Sequence, residues 1–353
     1  MVHNFNAGPS ILPKEVFEQA ADAVLNFDKT GLSILEFGHR TAKFTSVLEE
    51  ARSLVKELMR LDADHEVLFL HGGASTQFMQ VPMNLLDIKD TAAYTDTGVW
   101  ASKAIKEAKL FGKVELVCSS KDKNYNCIPK DFAVPNDAKY LHITTNNTIY
   151  GTQWQKIPST SIPLVADMSS DILSRVLDFN AFDLIYAGAQ KNIGAAGVNL
   201  VVVNKNILGK VKRVIPTIMD YRNHIREESM LNTPPVFAIF VCLLTLRWLK
   251  KQGGVAAIEK LNEVKAALLY KEIDENELFT GTVNTEDRSR MNVCFVMNDD
   301  NMETAFLQYA ESLNIIGIKG HRSVGGFRAS LYNALPLSSV EVLVEAMKKF
   351  SKI

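Results

Sequence analysis

The chain has 353 residues, 47% of them hydrophobic and 22% charged, with a formal net charge of −1. That length buries a sizeable core and fits one large unit plus a smaller one. The near-neutral balance excludes a field that would draw nucleic acid or an anionic membrane as primary partner, so the basic residues must act locally.

Asn6-Ala7-Gly8-Pro9 reads as a turn, and Pro13 suits the first position of a helix in which Val16, Phe17, Ala20 and Val24 share a face. Phe44, Val47, Leu48, Ala51, Leu54, Val55 and Leu58 recur at helical spacing and predict a second amphipathic helix. Strand and helix signals then alternate: strand 66–70, helix 77–86, strand 91–94, helix 100–110, and further strands at 114–118, 140–144, 164–167, 183–187 and 199–203. Several of these are near-continuous apolar runs, as strands covered on both faces are. The alternation predicts an α/β fold, a large domain whose mostly parallel central sheet is flanked by helices. The apolar run 236–246 is too short to cross a bilayer and reads as a buried helix. After Gly253-Gly254 the pattern changes to a helix 255–272, a polar stretch 276–290, a strand 292–297, a helix 303–313, a strand 327–331 and a helix 338–350, a smaller α+β unit. The expected division is a large domain of 12–254 and a small domain of 1–11 and 255–353.

Cys118, Cys127, Cys242 and Cys294 form neither a CxxC pair nor a metal-ligand spacing with His, so no metal is expected and the thiols suit a reducing compartment. The first residues lack a basic region followed by an apolar core, so a signal peptide is not expected and a cytoplasmic location is.

The strongest chemical signal is a pair. Asp167 ends the apolar run Leu164-Val165-Ala166, and Lys191 follows the next strand in Gly188-Ala189-Gln190-Lys191-Asn192, 191 − 167 = 24 residues later. A carboxylate and a lysine at neighbouring strand ends suit pyridoxal phosphate: the amine forms a Schiff base with the aldehyde, and the carboxylate keeps the pyridine nitrogen protonated. In an open α/β sheet, ligands sit outside the carboxyl ends of the strands, where both residues fall. His71-Gly72-Gly73-Ala74-Ser75-Thr76-Gln77 joins a strand to a helix with small residues, which suits an anion at a helix N-terminus; a plain strand-to-helix turn is the alternative. Neither a Walker loop nor a G-x-G-x-x-G fingerprint follows a strand. Trp100, after another strand, could stack on a flat ring, although taken by itself a place in the core is the preferred reading. Thr148 lies in an Asn-rich turn and can bond a phenolate oxygen. Gly38-His39-Arg40 and Gly320-His321-Arg322 repeat one tripeptide, the second running on to Arg328. Three Arg and two His in Gly-rich loops suit a substrate with two or three negative groups. Asn232-Thr233-Pro234-Pro235 precedes the apolar helix, and helix capping accounts for it.

These segments in this order, with Phe5-Asn6-Ala7-Gly8-Pro9 at one end and Arg328-Ala329-Ser330 at the other, resemble the phosphoserine aminotransferases, fold-type I enzymes that use pyridoxal phosphate. The likeness runs nearly end to end. It implies transfer of the amino group of L-glutamate to 3-phosphohydroxypyruvate, giving O-phosphoserine and 2-oxoglutarate in serine biosynthesis by ping-pong kinetics. It implies that Lys191 is the Schiff-base lysine, Asp167 the pyridinium partner, Trp100 the stacking ring and Thr148 the partner of the ring oxygen. It further implies that Ala74, Ser75 and Gln190 hold the cofactor phosphate, joined by Asn232 and Thr233 from the second subunit of a homodimer. Arg328 would take the α-carboxylate, and His39, Arg40, His321 and Arg322 the substrate phosphate or the side-chain carboxylate of glutamate. Many members carry Arg where this chain has Ser75, which shifts that recognition onto the two His-Arg pairs. The competing readings are another fold-type I enzyme, of the alanine/serine–glyoxylate aminotransferase or cysteine desulfurase type, and a non-catalytic phosphate-binding protein.

Overall fold

The computed structural model describes residues 1–352. In chain order the elements are β1 (His3–Asn4), α1 (Lys14–Asn26), α2 (Ala42–Met59), β2 (His65–His71), α3 (Ala74–Leu85), β3 (Thr91–Asp96), α4 (Val99–Ala108), β4 (Lys113–Ser119), β5 (Leu141–Thr144), β6 (Asn146–Asn147), β7 (Thr152–Gln153), β8 (Leu164–Asp167), β9 (Leu184–Gly188) and β10 (Val198–Asn204). They continue as α5 (Tyr221–Arg226), α6 (Val236–Lys251), α7 (Gly254–Glu275), β11 (Phe279–Gly281), β12 (Asn292–Met297), α8 (Glu303–Ser312), β13 (Ile315–Ile316), β14 (Phe327–Ser330) and α9 (Leu337–Phe350).

Seven strands form the main sheet in the order β2-β10-β9-β8-β5-β3-β4. β9, β8, β5, β3 and β4 run parallel, whereas β10 is antiparallel to both neighbours, β9 and β2. The reversal has a plain cause. Only the short turn through Lys191 joins β9 to β10, and a parallel return needs a longer crossover. β2, reversed again relative to β10, points the same way as the parallel strands. The carboxyl ends of β2, β3, β5, β8 and β9 therefore share one edge of the sheet.

Side chains alternate along the strands and fill two cores. Val67, Phe69, Ile143, Ala166, Ile185 and Val202 face one side, with α2 and α6. Leu68, Tyr94, Val165, Tyr186 and Val201 face the other, with α3 and α4. α6 is buried round most of its circumference, as its uninterrupted apolar sequence requires.

The smaller unit has its own core. β11-β12-β14 form an antiparallel sheet, and β1 pairs in parallel with β13. Phe279, Phe295, Phe306, Phe327 and Phe350 pack ring against ring with centroids 5.1–6.5 Å apart. Helix α7 belongs to both cores: Val255 and Ile258 pack in the large one, Ala266, Leu269 and Ile273 in the small one. The change of pattern near Gly254 thus marks the start of a helix, and the change of core comes midway along it.

Three local expectations are corrected. Phe17 is 54% exposed, and Ala23 takes its place on the buried face of α1. The polar stretch 276–290 contains the strand β11, because Phe279 anchors it in the aromatic cluster. The Asn-rich turn is the hairpin β6–β7.

Lys265 lies on α7 yet is fully buried, its Nζ donating to the carbonyls of Leu331 at 2.9 Å, Tyr332 at 2.9 Å and Leu335 at 3.2 Å. A three-donor ammonium meets three acceptors that no helix or strand satisfies. Lys265→Met keeps the volume and removes all three bonds, so the expected loss of stability is about 3 kcal/mol, read as a lower urea midpoint. An unchanged midpoint would show that the bonds are dispensable.

Candidate active site

Asp167 ends β8 at the centre of the sheet, and Lys191 sits just past the end of the adjacent β9. Both face a cavity of about 330 Å³, where they are joined by Ala7, Gly8, Gly73, Ala74, Ser75, Trp100, Thr144, Asn146, Thr148, Ile149, Ser169, Ser170, Gln190, His321 and Arg328. Every contributing loop follows a strand end on the shared edge or arrives from the small unit opposite it.

At the floor, Asp167 is 4% exposed and Lys191 8%. Asp167 Oδ1 accepts the Ser169 N–H at 2.9 Å. Burial pushes its carboxyl above the usual range, against the pull of Ser169 and of the Lys191 charge. A carboxylate in that position calls for a cation, and a pyridinium N–H supplies one. Burial likewise pulls the Lys191 ammonium down to about 8, with Asp167 opposing and Arg328 adding to the fall. Lys191 Nζ donates to Thr148 Oγ1 at 2.9 Å.

On one wall, α3 opens at Gly73-Ala74-Ser75 with no side chain capping its first turn, so its N–H groups and the positive end of its dipole remain available to an anion. Gly72 precedes it at φ +99°, where a Cβ would lie 2.4 Å from Thr76 Oγ1. Only glycine makes that approach. On the other wall Trp100 stands in the first turn of α4, with the Lys103 ammonium 4.3 Å from its ring centroid. Three buried polar atoms at the cavity, Trp100 Nε1, Thr144 Oγ1 and Arg328 Nε, have no partner among the described residues. At the mouth, Arg328 donates from Nη1 to the Thr148 carbonyl at 3.4 Å. His321 Nδ1 lies 2.7 Å from Ser323 Oγ, and burial with the charges of Arg328, Arg322 and Lys103 lowers its pKa, so it is neutral at neutral pH.

The cavity thus gathers Ala74, Ser75, Trp100, Thr148, Asp167, Gln190, Lys191, His321 and Arg328. It does not include His39, Arg40, Asn232, Thr233 or Arg322. His39 is half-buried, with Nε2 lacking a partner among the described residues, and Arg40 and Arg322 are exposed. The capping expected of Asn232 and Thr233 does not occur. Pro235 precedes α6 with no side-chain cap, and the Thr233 carbonyl instead lies 2.5 Å from His71 Nε2. Ala7, Gly8, Thr144, Ser169 and Ser170 join the cavity without a role expected from sequence, and Asn146 joins it from the Asn-rich segment whose Asn and Thr suit a phenolate oxygen. Ser169 and Ser170 adjoin Asp167 in the chain, which was the available signal, whereas nothing local ties Ala7 and Gly8 to Lys191. No group of His, Cys, Asp and Glu among the described residues could hold a metal ion.

A family model described as aminotransferase class-V matches residues 2–343. The phosphoserine aminotransferase of Flavobacterium johnsoniae is 59% identical over 347 residues, 98% of each chain. The solved phosphoserine aminotransferase from Bacillus circulans subsp. alkalophilus superposes with a TM-score of 0.97 at 43% identity, covering 100% of this chain and 99% of that one. The PLP-bound phosphoserine aminotransferase from Trichomonas vaginalis gives 0.94 at 36% identity, covering 99% and 100%. The chain belongs to the class-V aminotransferases and, within them, to the phosphoserine aminotransferase family. Its cofactor is pyridoxal phosphate. The residues present fit that group: a buried carboxylate for the ring nitrogen, an indole for the ring face, an uncapped helix start for the phosphate and a lysine of lowered basicity for the aldehyde.

An amine attacks an aldehyde only as the free base. With Lys191 near 8 rather than 10.5, the protein freed of cofactor should take up pyridoxal phosphate at a rate that climbs with pH, half-maximal near pH 8 and level above it. A rate still climbing at about pH 10 would mean that burial does not lower this lysine.

Proposed function

We propose that the protein transfers the amino group of L-glutamate to 3-phosphohydroxypyruvate, yielding 2-oxoglutarate and O-phosphoserine for serine biosynthesis. The observation that carries this reading is the placing of Asp167 and Lys191, the open start of α3, and Arg328 with His321 around one cavity. Bound pyridoxal phosphate supplies an aldehyde that accepts an amino group and a ring that withdraws electrons from the carbon losing its proton. Asp167 would hold the ring nitrogen, Thr148 the ring oxygen, Trp100 the ring face, and Ala74, Ser75 and Gln190 the phosphate.

Lys191 Nζ takes the α-proton of the amino acid in one half-reaction and returns a proton to the α-carbon of the keto acid in the other. Its lowered basicity makes it a free amine for a useful fraction of the time near neutral pH. Arg328 takes the α-carboxylate common to every substrate, and its unpartnered Nε supports that role. His321 and Arg322, with His39 and Arg40, take the phosphate or the second carboxylate of glutamate. Thr148, bonded to Lys191 and to Arg328 through its side chain and backbone respectively, holds the two working groups in one geometry.

The site works in a homodimer. Asn232 and Thr233 lie outside the cavity and do not cap α6, which leaves them free to meet the cofactor phosphate in a second copy. Residues 12–254 would form the cofactor-binding domain, and 1–11 with 255–353 the domain that brings His321 and Arg328. The four free thiols suit a cytoplasmic location, and no helix among the described residues is long and apolar enough to cross a membrane.

The test is spectroscopic. Glutamate should bleach the absorbance band of the bound cofactor, and 3-phosphohydroxypyruvate should restore it. Restoration only by glyoxylate or pyruvate would discard the substrate and keep the aminotransferase. Arg328→Ala should slow both half-reactions roughly 100-fold, the effect of losing a charged two-point hydrogen bond. A loss confined to the phosphorylated substrate would move Arg328 to the phosphate. Lys191→Ala should abolish both the band and turnover.

A further inference from the structure

The N-terminal segment 5–10 runs between the two units directly behind Lys191. At one end it is tied to the small unit: the Phe5 N–H donates to the Ile316 carbonyl at 2.9 Å, and the Ser330 N–H donates to the Phe5 carbonyl at 3.2 Å. The buried Tyr332 hydroxyl donates to the Ala7 carbonyl at 2.8 Å. At the other end the segment is tied to the catalytic turn. The Ser10 N–H donates to the Gln190 carbonyl at 2.9 Å, and Ser10 Oγ donates to the Lys191 carbonyl at 2.7 Å. Between these anchors Gly8, at φ +149°, lies against the lysine arm. A Cβ there would come within 3.6 Å of Lys191 Cγ and 3.7 Å of its Cε.

The Tyr332 hydroxyl is ringed by polar partners, with Thr148 and Ser330 beside Asn292 and the Ala7 carbonyl. Asn292 Nδ2 donates to the phenol oxygen at 3.2 Å, and Asn292 Oδ1 is occupied by Asn146 Nδ2 at 2.8 Å. The amide is therefore oriented, and the Ala7 carbonyl, which only accepts, takes the phenol proton at 2.8 Å. Tyr332, Asn292 and Asn146 are each 2% exposed or less, so the arrangement is enclosed and satisfied.

We propose that residues 5–10 form a strap that positions Lys191, with Tyr332 and Ser10 as its two pegs. Neither peg lines the cavity; Ser10 acts through the strap, and Tyr332 through the strap and through the neighbouring Thr148 hydroxyl, which bonds Lys191 Nζ. A lysine arm has four rotors, and a reacting amine displaced by an ångström loses much of its rate. The strap limits that freedom from behind while the other side of the arm stays open to the cavity. Because the strap is held at one end by the small unit, any shift of that unit reaches Lys191 through it. The inference rests on Lys191 being the reacting lysine.

The test uses the holoenzyme. Tyr332→Phe keeps the ring and removes the peg; Ser10→Ala removes the other. Each should lower kcat about tenfold, the scale of one buried hydrogen bond, with KM for both substrates within about twofold. Each should also move, in the same direction, the pH midpoint of the cofactor absorbance band, which reports the surroundings of Lys191, including Asp167, Asp171 and Arg328. The double variant should be no slower than the slower single one, because both act through one element. Multiplied effects of about a hundredfold in the double variant, or a lowered melting temperature with the midpoint unmoved, would overturn the strap. Lys191→Ala keeping a normal band would instead overturn the reading beneath it.

Discussion

A carboxylate buried at the end of a central strand is costly unless positive charge meets it, and within the protein Asp167 accepts the Ser169 N–H and feels the Lys191 charge without forming an ion pair with it. Neither partner is settled by the other. Burial raises the acid and depresses the base, so both charged forms are disfavoured where they stand. The surrounding architecture gathers round that pair: Ile149, Trp100, Ala7 and Gly8 line the cavity, and the small unit contributes His321 and Arg328.

The sheet brings the two residues together at neighbouring strand ends. The parallel pairing of β8 with β9 sets the two strand ends side by side, and the antiparallel β10 lets a short turn, rather than a crossover helix, carry Lys191. The short reversal keeps Lys191 beside the end of β9, where the register sets Asp167 opposite Tyr186. It also turns β2 back into line with the parallel strands, which brings Gly73-Ala74-Ser75 to the same edge as Asp167. One antiparallel strand therefore brings the start of α3 to the edge that carries Asp167 and Lys191.

Much of this was legible in the chain because strongly periodic or continuous apolar runs declare themselves. The seven strand segments expected between residues 60 and 254 all occur, each within a few residues of its expected ends. Short pairings were not legible: β1 and β13 are two residues each and are held by partners more than 300 positions away. Burial of Lys265 was equally hidden, since a lysine on an amphipathic helix normally marks the wet face. Within the cavity, residues following strand ends were found because strand ends are where ligands sit. Ala7 and Gly8 reach it only because the first residues cross from one unit to the other, a long-range fact with no local pattern. Asn232 and Thr233 illustrate the reverse: a capping composition beside a helix that its own backbone starts without them.

Helix α7 contributes its first two turns to one core and its later turns to the other. A chain of this length commonly divides into units that melt separately. Here neither core is complete without the same continuous run of backbone hydrogen bonds, so losing one strips apolar cover from the other. The two units are thereby joined thermodynamically as well as by sequence: they fold and fail as one cooperative body, even though each has its own sheet.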